Sequence, residues 1–353
     1  MEQILLNGRV YNFNNLDEYI HSEPKLESWN FAIYSFLKLW FDKSSTITVN
    51  TSGSTGTPKT IQLSKKAMRH SARMTNSYFG LQPECTALLC MPATFIAGRM
   101  MLVRAIVGGY NLLTVEPSAN PFQNIKQDIH FTAITAYQLS HAIDTIKMLS
   151  IRHLLIGGSS VNNQTQELLQ SLHTNCYESY GMTETCSHVA IRPLNGSIRS
   201  NHFHTLEGVH IRSNEQGCLC IDAPKLLKSE IQTTDLVEII NPSTFRWLGR
   251  RDQIINSGGI KINPVFVEQK LASILNVPYF ISSQPDDVLG QKVILLIESE
   301  IFTSNQLAQL KTYMQATLTR YEQPKEIFLL TRFCYSETNK VLKLETLKLI
   351  NEK

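Results

Sequence analysis

No two cysteines in this chain stand in a C-x-x-C spacing. The seven are scattered, and Cys218 and Cys220 are too close together for a usual zinc pair. An odd, dispersed set fits a reducing cytosol better than a disulfide framework, so a cytoplasmic protein is expected. A long uninterrupted apolar run is missing too. The most apolar tract, Cys85–Val115, is broken by Pro92, Arg99 and Arg104. It lacks the roughly 20 apolar residues of a membrane span. The N-terminus carries Glu2 and no basic stretch before an apolar core, so no signal peptide is expected. Nor is there an excess of one charge. A net charge of +3 over 353 residues implies no nucleic-acid partner. Internal repeats and low-complexity segments are absent. What remains is a chain long enough for two or three domains, with apolar content sufficient for substantial cores.

The most informative segment is Thr51-Ser52-Gly53-Ser54-Thr55-Gly56-Thr57-Pro58-Lys59. Glycine lets a backbone approach an anion closely and reach positive φ at low cost. Successive N–H groups in such turns form a concave anion site, to which hydroxyls add donors and Lys59 a charge. β-Prone runs flank it, Thr46–Asn50 and Thr60–Leu63, which suggests a phosphate cradle between two strands. A Walker A loop requires Gly-Lys in sequence, whereas Thr57 and Pro58 separate Gly56 from Lys59. The plain alternative is a solvated Ser/Thr/Gly linker.

Around this loop the pattern reads as alternating elements. Residues 28–42 form an aromatic-rich amphipathic helix, and Ser64 caps another that runs to about Tyr78. Strands are expected at Thr86–Cys90, Asn111–Val115, Phe131–Thr135, His153–Ile156 and Asn175–Ser179. Helices around 97–107, 138–148 and 162–172 fall between some of them. This is an α/β core with largely parallel, buried strands. After about 186, short runs set off by Gly, Pro and Asn predict a β-rich subdomain, with strands at Thr205–Arg212, Cys218–Asp222, Leu236–Ile240 and Phe245–Leu248. Beyond Asp252 comes a compact α+β unit: a helix over Pro264–Leu275, strands at 279–283 and 292–298, a helix near 304–318 and a strand at 326–330.

The loop 51–59 resembles the signature loop of the adenylate-forming superfamily, which includes acyl-CoA synthetases and aryl-CoA ligases. Further motifs follow in that family's order. They are Tyr180-Gly181-Met182-Thr183-Glu184, Thr234-Asp235, Gly249-Arg250-Arg251-Asp252 with Asn256-Ser257-Gly258-Gly259, and Thr338-Asn339-Lys340. Within the superfamily, the string from Tyr180 to His188 resembles the o-succinylbenzoate–CoA ligases of menaquinone biosynthesis. The resemblance implies a large AMP-binding core domain over residues 1–251, with α/β layers and a β-rich subdomain. It also implies a small mobile α+β lid over 252–353 that rotates about Asp252. Only 50 residues precede the loop. The chain looks like a shortened version of its relatives, leaving core surface that a second copy in a homodimer could cover.

The implied chemistry joins a carboxylic acid to the thiol of CoA through an acyl-adenylate formed from ATP. By resemblance Thr51, Ser52, Gly53, Ser54, Thr55, Gly56 and Lys59 handle the β- and γ-phosphates. Gly157, Gly158 and Ser159 form the adenine pocket, although a simple strand-to-helix turn reads the same way. Ser179, Tyr180 and Gly181 hold the nucleotide, with Tyr180 stacking on adenine. Thr183 touches the α-phosphate and Glu184 serves Mg²⁺. Asp235 and Arg250 reach the ribose; alone, Asp235 reads as a turn or surface acid. Lys340 inserts between the acid and the α-phosphate, where an isolated lysine would read as solvated. Asn339 replaces the usual glycine before it and tolerates the same left-handed conformation. Ser257, Gly258 and Gly259 form a flexible loop lining the thiol tunnel, or an ordinary hairpin turn. Phe95 stands where many of these ligases have histidine. Arg104, on the helix after it, is a candidate partner for a second carboxylate on the acid, or else a surface arginine. Ser187 and His188 complete the acyl site. Other readings are a ligase for a different aryl or alkyl acid, an enzyme loading a carrier-protein thiol, and a non-catalytic nucleotide binder. The joint presence of Lys59, Thr183, Glu184, Asp235 and Lys340 argues against the last.

Overall fold

The computed structural model describes residues 2–21, 28–50, 60–161, 163–337 and 339–351. The chain opens with β1 (Gln3–Leu6) and β2 (Arg9–Asn12), joined by Asn7 and Gly8 at φ 49° and 81°. Two consecutive positive-φ residues give the turn whose twist matches a hairpin. After α1 (Asp17–His21), the aromatic-rich helix is α2 (Ser28–Phe41), which buries Ile33, Phe36, Leu37 and Trp40. β3 (Thr46–Asn50) and β4 (Thr60–Ser64) pair antiparallel up to Asn50 opposite Thr60. The expected strands on both sides of the glycine-rich loop are therefore present; the loop itself, 51–59, lies outside the described residues. α3 (Lys65–Phe79) starts where the Ser64 hydroxyl accepts from Ala67 N–H and stops at Gly80, φ 61°. Those are the side-chain cap and left-handed stop that end groups without intrahelical partners require.

The parallel core follows: β5 (Thr86–Leu89), α4 (Ile96–Gly108), β6 (Asn111–Thr114), β7 (Ile129–Thr135), α5 (Ala136–Ile146), β8 (Ile151–Gly157), α6 (Asn163–Leu169) and β9 (Asn175–Gly181). A reciprocal capping box between Thr135 and Gln138 starts α5 directly from the end of β7. β1, β6, β5, β7, β8 and β9 lie side by side in that order, all parallel. Their apolar residues are buried on both faces, in two separate clusters.

The segment after 186 forms β10 (His188–Pro193), β11 (Phe203–Thr205), β12 (His210–Ser213), β13 (Cys218–Asp222), β14 (Ile231–Asn241) and β15 (Thr244–Arg250). The sequence pattern suggested a subdomain here. In the structure these strands extend the same sheet antiparallel from β9, giving 13 strands in one hydrogen-bonded order. The expected strand Thr205–Arg212 is split in two, because Gly208 sits at φ 79° in the turn between β11 and β12.

Residues from 255 onward build a second sheet around their own cores. It comprises β16 (Ile255–Ser257), β17 (Ile260–Ile262), β18 (Tyr279–Asp286), β19 (Gly290–Glu298) and β20 (Glu326–Leu330), with α7 (Pro264–Leu271), α8 (Ser304–Thr317) and α9 (Lys343–Asn351). α7 begins at an Asn263 cap with Pro264 in its first turn and stops short of the expected Leu275. Among the described residues no helix is long and apolar enough to cross a membrane.

α4 is held tightly at its start. A Cβ at Gly98 would lie 2.3 Å from the Pro92 carbonyl oxygen and 2.9 Å from that of Met91. Replacing glycine by alanine inside a helix normally stabilises by about 1 kcal/mol. Here backbone would have to move, and Gly98→Ala should instead cost about 1–3 kcal/mol in urea unfolding. A stabilised variant would contradict this packing.

Candidate active site

The carboxyl ends of β5, β7, β8 and β9 face the same edge of the sheet, the position at which open α/β sheets bind ligands. Phe95, Gly157, Gly158, Ser159, Ser179, Tyr180, Gly181, Thr183 and Glu184 lie at these ends or on the loops leaving them. β8 runs out at Gly157, followed by Gly158 at φ 92° and Ser159, both exposed. Ser179 of the neighbouring β9 donates to the Ile156 carbonyl at 3.1 Å, and a Cβ at Gly157 would come within 2.8 Å of its Oγ. Glycine at 157 is what lets the two strand ends close up. β9 ends at Gly181, where a Cβ would lie 2.4 Å from the Ser187 carbonyl oxygen. The loop 182–187 folds back across that glycine. Thr185 pins it by accepting from Met182 N–H at 3.0 Å and donating to the Ser187 carbonyl at 2.6 Å. Cys186 takes the left-handed conformation, φ 64°. This presents Glu184 exposed at the loop's tip, with Thr183 half-buried beside it.

A second group joins four strands. Asp235 on β14 accepts from the Tyr180 hydroxyl at 2.7 Å and from the Trp247 indole N–H at 3.0 Å. The Tyr180 ring stands against Phe203 and Phe245, with centroids 5.7 and 5.2 Å away. Burial, then the Asp235 carboxylate, pushes the Tyr180 phenol far above its usual range. Arg250 is opposite Asp235 across the ladder. Its guanidinium, however, forks onto Asp252, at 3.0 and 2.6 Å. That hydrogen bond holds the Asp252 carboxyl below its ordinary value.

Lys340 comes from the second sheet's side of the molecule. Its Cε is 3.4 Å from where a Cβ on Gly158 would be. It is half-buried, and that desolvation lowers its ammonium pKa. Asn339 before it is left-handed at φ 56°, as a glycine in its place would be. A small loop closed by the Tyr335–Val341 bridge presents the lysine, whose N–H donates to Ser336 Oγ at 3.1 Å. Thr338 lies outside the described residues. Gly258 and Gly259, at φ 59° and 81°, make a two-residue turn between β16 and β17. The Gly258 N–H donates to the Leu289 carbonyl at 2.8 Å, and Ser257 is buried. The ordinary hairpin turn, rather than a loose loop, describes this segment.

The third group surrounds Arg104. It is 2% exposed on α4. Its Nη2 donates to Ser187 Oγ and lies 3.5 Å from His188 Nδ1; its Nη1 donates to the Met101 sulfur at 3.5 Å. Among the described residues its Nε has no hydrogen-bond partner and no carboxylate pairs with it. Desolvation pulls this guanidinium down to about 10. The surface-arginine alternative is thereby removed. Phe95 stands at the start of the same helix, half-buried, two and a half turns and about 13 Å along the axis from Arg104. The structure does not bring these two together.

His188 is buried and its protons can be assigned. Thr75 donates its hydroxyl to the Ser71 carbonyl at 3.1 Å, so toward His188 Nε2, 3.2 Å away, it accepts. Arg104, which can only donate, also lies 3.5 Å from Nδ1, and the tautomer that meets both contacts carries its hydrogen on Nε2. Nδ1 is left as an acceptor for the Ser187 hydroxyl at 3.2 Å. Thr75 and Trp247 were not singled out from the sequence. The available signal for Thr75 was a hydroxyl on the apolar face of an amphipathic helix, and for Trp247 an indole on the inward side of a strand.

The AMP-binding enzyme family matches residues 25–217. The chain is 24% identical to a 2-succinylbenzoate–CoA ligase of Staphylococcus epidermidis, over 94% of this chain and 73% of that one. It is 32% identical to an acyl-CoA synthetase (AMP-forming)/AMP-acid ligase II-like protein from Dyadobacter fermentans. That solved structure aligns with 96% of this chain and 99% of its own, at TM-score 0.62. The o-succinylbenzoate CoA synthetase of Bacillus subtilis, solved with the acyl-adenylate intermediate OSB-AMP, shares the fold at TM-score 0.73 and 23% identity, over 84% of this chain and 68% of its own. The chain belongs to the AMP-binding enzyme family, as an AMP-forming acid–CoA ligase.

Burial first, and the Arg104 charge second, hold the His188 imidazole well below its ordinary pKa. The unfolded chain takes up that proton near pH 6.5 and the fold does not, so stability falls as the pH drops below about 6.5. Nitrogen NMR at pH 5.5 should find His188 neutral, with hydrogen on Nε2. An imidazole that protonates near pH 6.5 would overturn the assignment.

Proposed function

We propose that the acid activated here is 2-succinylbenzoate, adenylated at its aliphatic carboxylate and released as the CoA thioester, in menaquinone biosynthesis. The observation that carries this reading is Arg104, a buried guanidinium with a free Nε and no carboxylate among the described residues to balance it. An uncompensated buried charge costs several kcal/mol. An acid that brings a second carboxylate to it recovers that cost; a monocarboxylic acid does not. The names of the curated relatives support the same acid.

In the proposed sequence, an oxygen of the aliphatic carboxylate attacks the α-phosphorus of ATP. The bond to the bridging oxygen breaks and pyrophosphate leaves. The thiol of CoA then attacks the acyl carbonyl, and AMP departs with the electron pair of the anhydride bond. Lys340, already over Gly158, is suited to the first step as a compact charge between carboxylate and α-phosphate. Thr183 would donate to the α-phosphate. Asp235, with Tyr180 and Trp247 fixing its orientation, would accept from the ribose hydroxyls. Gly157 and Gly158 leave room for a flat base. A divalent magnesium ion fits Glu184. That carboxylate is exposed and single, with no cluster of three ligating side chains among the described residues. Mg²⁺ keeps waters and phosphate oxygens and needs only one or two carboxylates. Bound there, it would neutralise phosphate charge. Residues 252–353 would act as the lid, turning about Asp252 so that Ser257, Gly258 and Gly259 approach the thiol path in the second step.

Two outcomes follow. The wild type should favour 2-succinylbenzoate over 4-oxo-4-phenylbutanoate, which lacks only the aryl carboxylate, by roughly 10–100-fold in kcat/KM, the worth of a buried charge-assisted hydrogen bond. Arg104→Ala should erase that preference. Equal rates for both acids in the wild type would refute the substrate; a preference that survives Arg104→Ala would refute only the cation. Lys340→Ala should depress pyrophosphate release at least about 100-fold while largely sparing thioester formation from a supplied acyl-adenylate. Equal loss in both half-reactions would remove Lys340 from its proposed place.

A further inference from the structure

The chain of protons around Arg104 runs in one direction. Arg104 Nη2 donates to Ser187 Oγ, the Ser187 hydroxyl donates to His188 Nδ1, His188 Nε2–H donates to Thr75, and Thr75 donates to the Ser71 carbonyl. Each member can keep its place only while the next one accepts. Thr75 and Ser71 lie on consecutive turns of α3, both essentially without exposure. The far end of the chain is therefore fixed by helix backbone and cannot be rescued by water. A hydroxyl with its own proton committed to an i−4 carbonyl has only acceptor capacity left. That capacity decides which imidazole nitrogen is protonated.

We infer that Thr75 and His188 are positioning residues for acid selectivity: together they hold Ser187 as the acceptor of one Arg104 Nη2–H, and so turn the Nε edge of the guanidinium toward the acid. The inference rests on the reading of Arg104 as the partner of a second carboxylate. With the opposite tautomer, Nδ1–H would compete with Arg104 for the Ser187 oxygen, and the Ser187 proton would have to point elsewhere. The Ser187 oxygen would then accept from both groups at once, and Nδ1–H would face Arg104 Nη2 donor to donor at 3.5 Å. Asn76 adds a second constraint on the same residue, donating to the Arg104 carbonyl at 3.0 Å, so the backbone at 104 is also tied to α3. The side-chain direction is what remains to be set, and the Thr75–His188 pair sets it.

The experiment compares kcat/KM for 2-succinylbenzoate with that for 4-oxo-4-phenylbutanoate, as a ratio, in a set of variants of the full chain. Damage to the fold lowers both numbers and leaves the ratio; misdirection of Arg104 lowers only the first. Thr75→Val keeps the shape and removes the acceptor, and the ratio should fall about tenfold, the worth of one such hydrogen bond. Thr75→Ser should restore it. His188→Leu should lower the ratio likewise, whereas His188→Asn, whose amide oxygen can accept where Nδ1 did, should retain most of it. Nitrogen NMR of Thr75→Val should show the hydrogen moved to Nδ1. A ratio unchanged in both Thr75→Val and His188→Leu would overturn the inference while leaving Arg104 in its place. A wild type with a ratio near one would overturn both together. Should Thr75→Val not fold, the His188 pair and the Thr75→Ser control carry the comparison.

Discussion

A guanidinium enclosed by protein and faced by no carboxylate among the described residues is the constraint around which this site is arranged. Arg104 belongs to α4, and α4 also carries Arg99. The Arg99 side chain donates to the Ala93 carbonyl at 3.0 Å and to the Thr48 carbonyl at 2.9 Å. One helix thus holds the loop that ends at Phe95, the β3–β4 hairpin that flanks the glycine-rich segment, and the Ser187–His188 strand start. Its own entry is locked by the close approach of Gly98 to the Pro92 carbonyl. The strands on either side of the glycine-rich segment and the loops around Arg104 are therefore referred to a common element, the arrangement that orientation-dependent catalysis requires.

The contacts between the two sheets are of a different kind. Asn263, at the start of α7, donates to the Leu248 carbonyl at 2.7 Å; along the connection between the sheets Arg250 pairs with Asp252 and Arg251 donates to Gln216 at 2.6 Å. Most are exposed and polar, worth little individually in water. Against them stands the close approach of Lys340 to Gly158, which matters only in this arrangement. The two sheets are thus joined by weak polar contacts beside one specific charge.

Local chemistry was legible in the sequence wherever a short-range rule applied. Ser64 announced its helix, Asn339 its left-handed turn, and the β-branched runs around 51–59 their strands. Gly258-Gly259 was readable as a hairpin turn because two consecutive glycines satisfy both positive-φ positions. Long-range pairing was not legible. Nothing in the runs after 186 says that they extend the parallel sheet instead of forming their own, since edge compatibility depends on β9 and β10 meeting across a bulge. Gly208 within an apparently continuous strand was the missed cue for the split between β11 and β12. The partner choice of Arg250 was likewise invisible, because Asp235 and Asp252 are both within reach and only the backbone path decides between them. Thr75 became a candidate only when its distance to His188 was known.

The decisive measurement is a crystal structure of the chain with a non-reactive sulfamoyl analogue of the 2-succinylbenzoate acyl-adenylate. The aryl carboxylate should lie within hydrogen-bond distance of the Arg104 guanidinium, with His188 and Thr75 still in contact and Lys340 beside the sulfamoyl group. An aryl carboxylate directed to solvent, or paired with another cation while Arg104 stays enclosed and alone, would contradict the assignment of Arg104 as the residue that selects the acid.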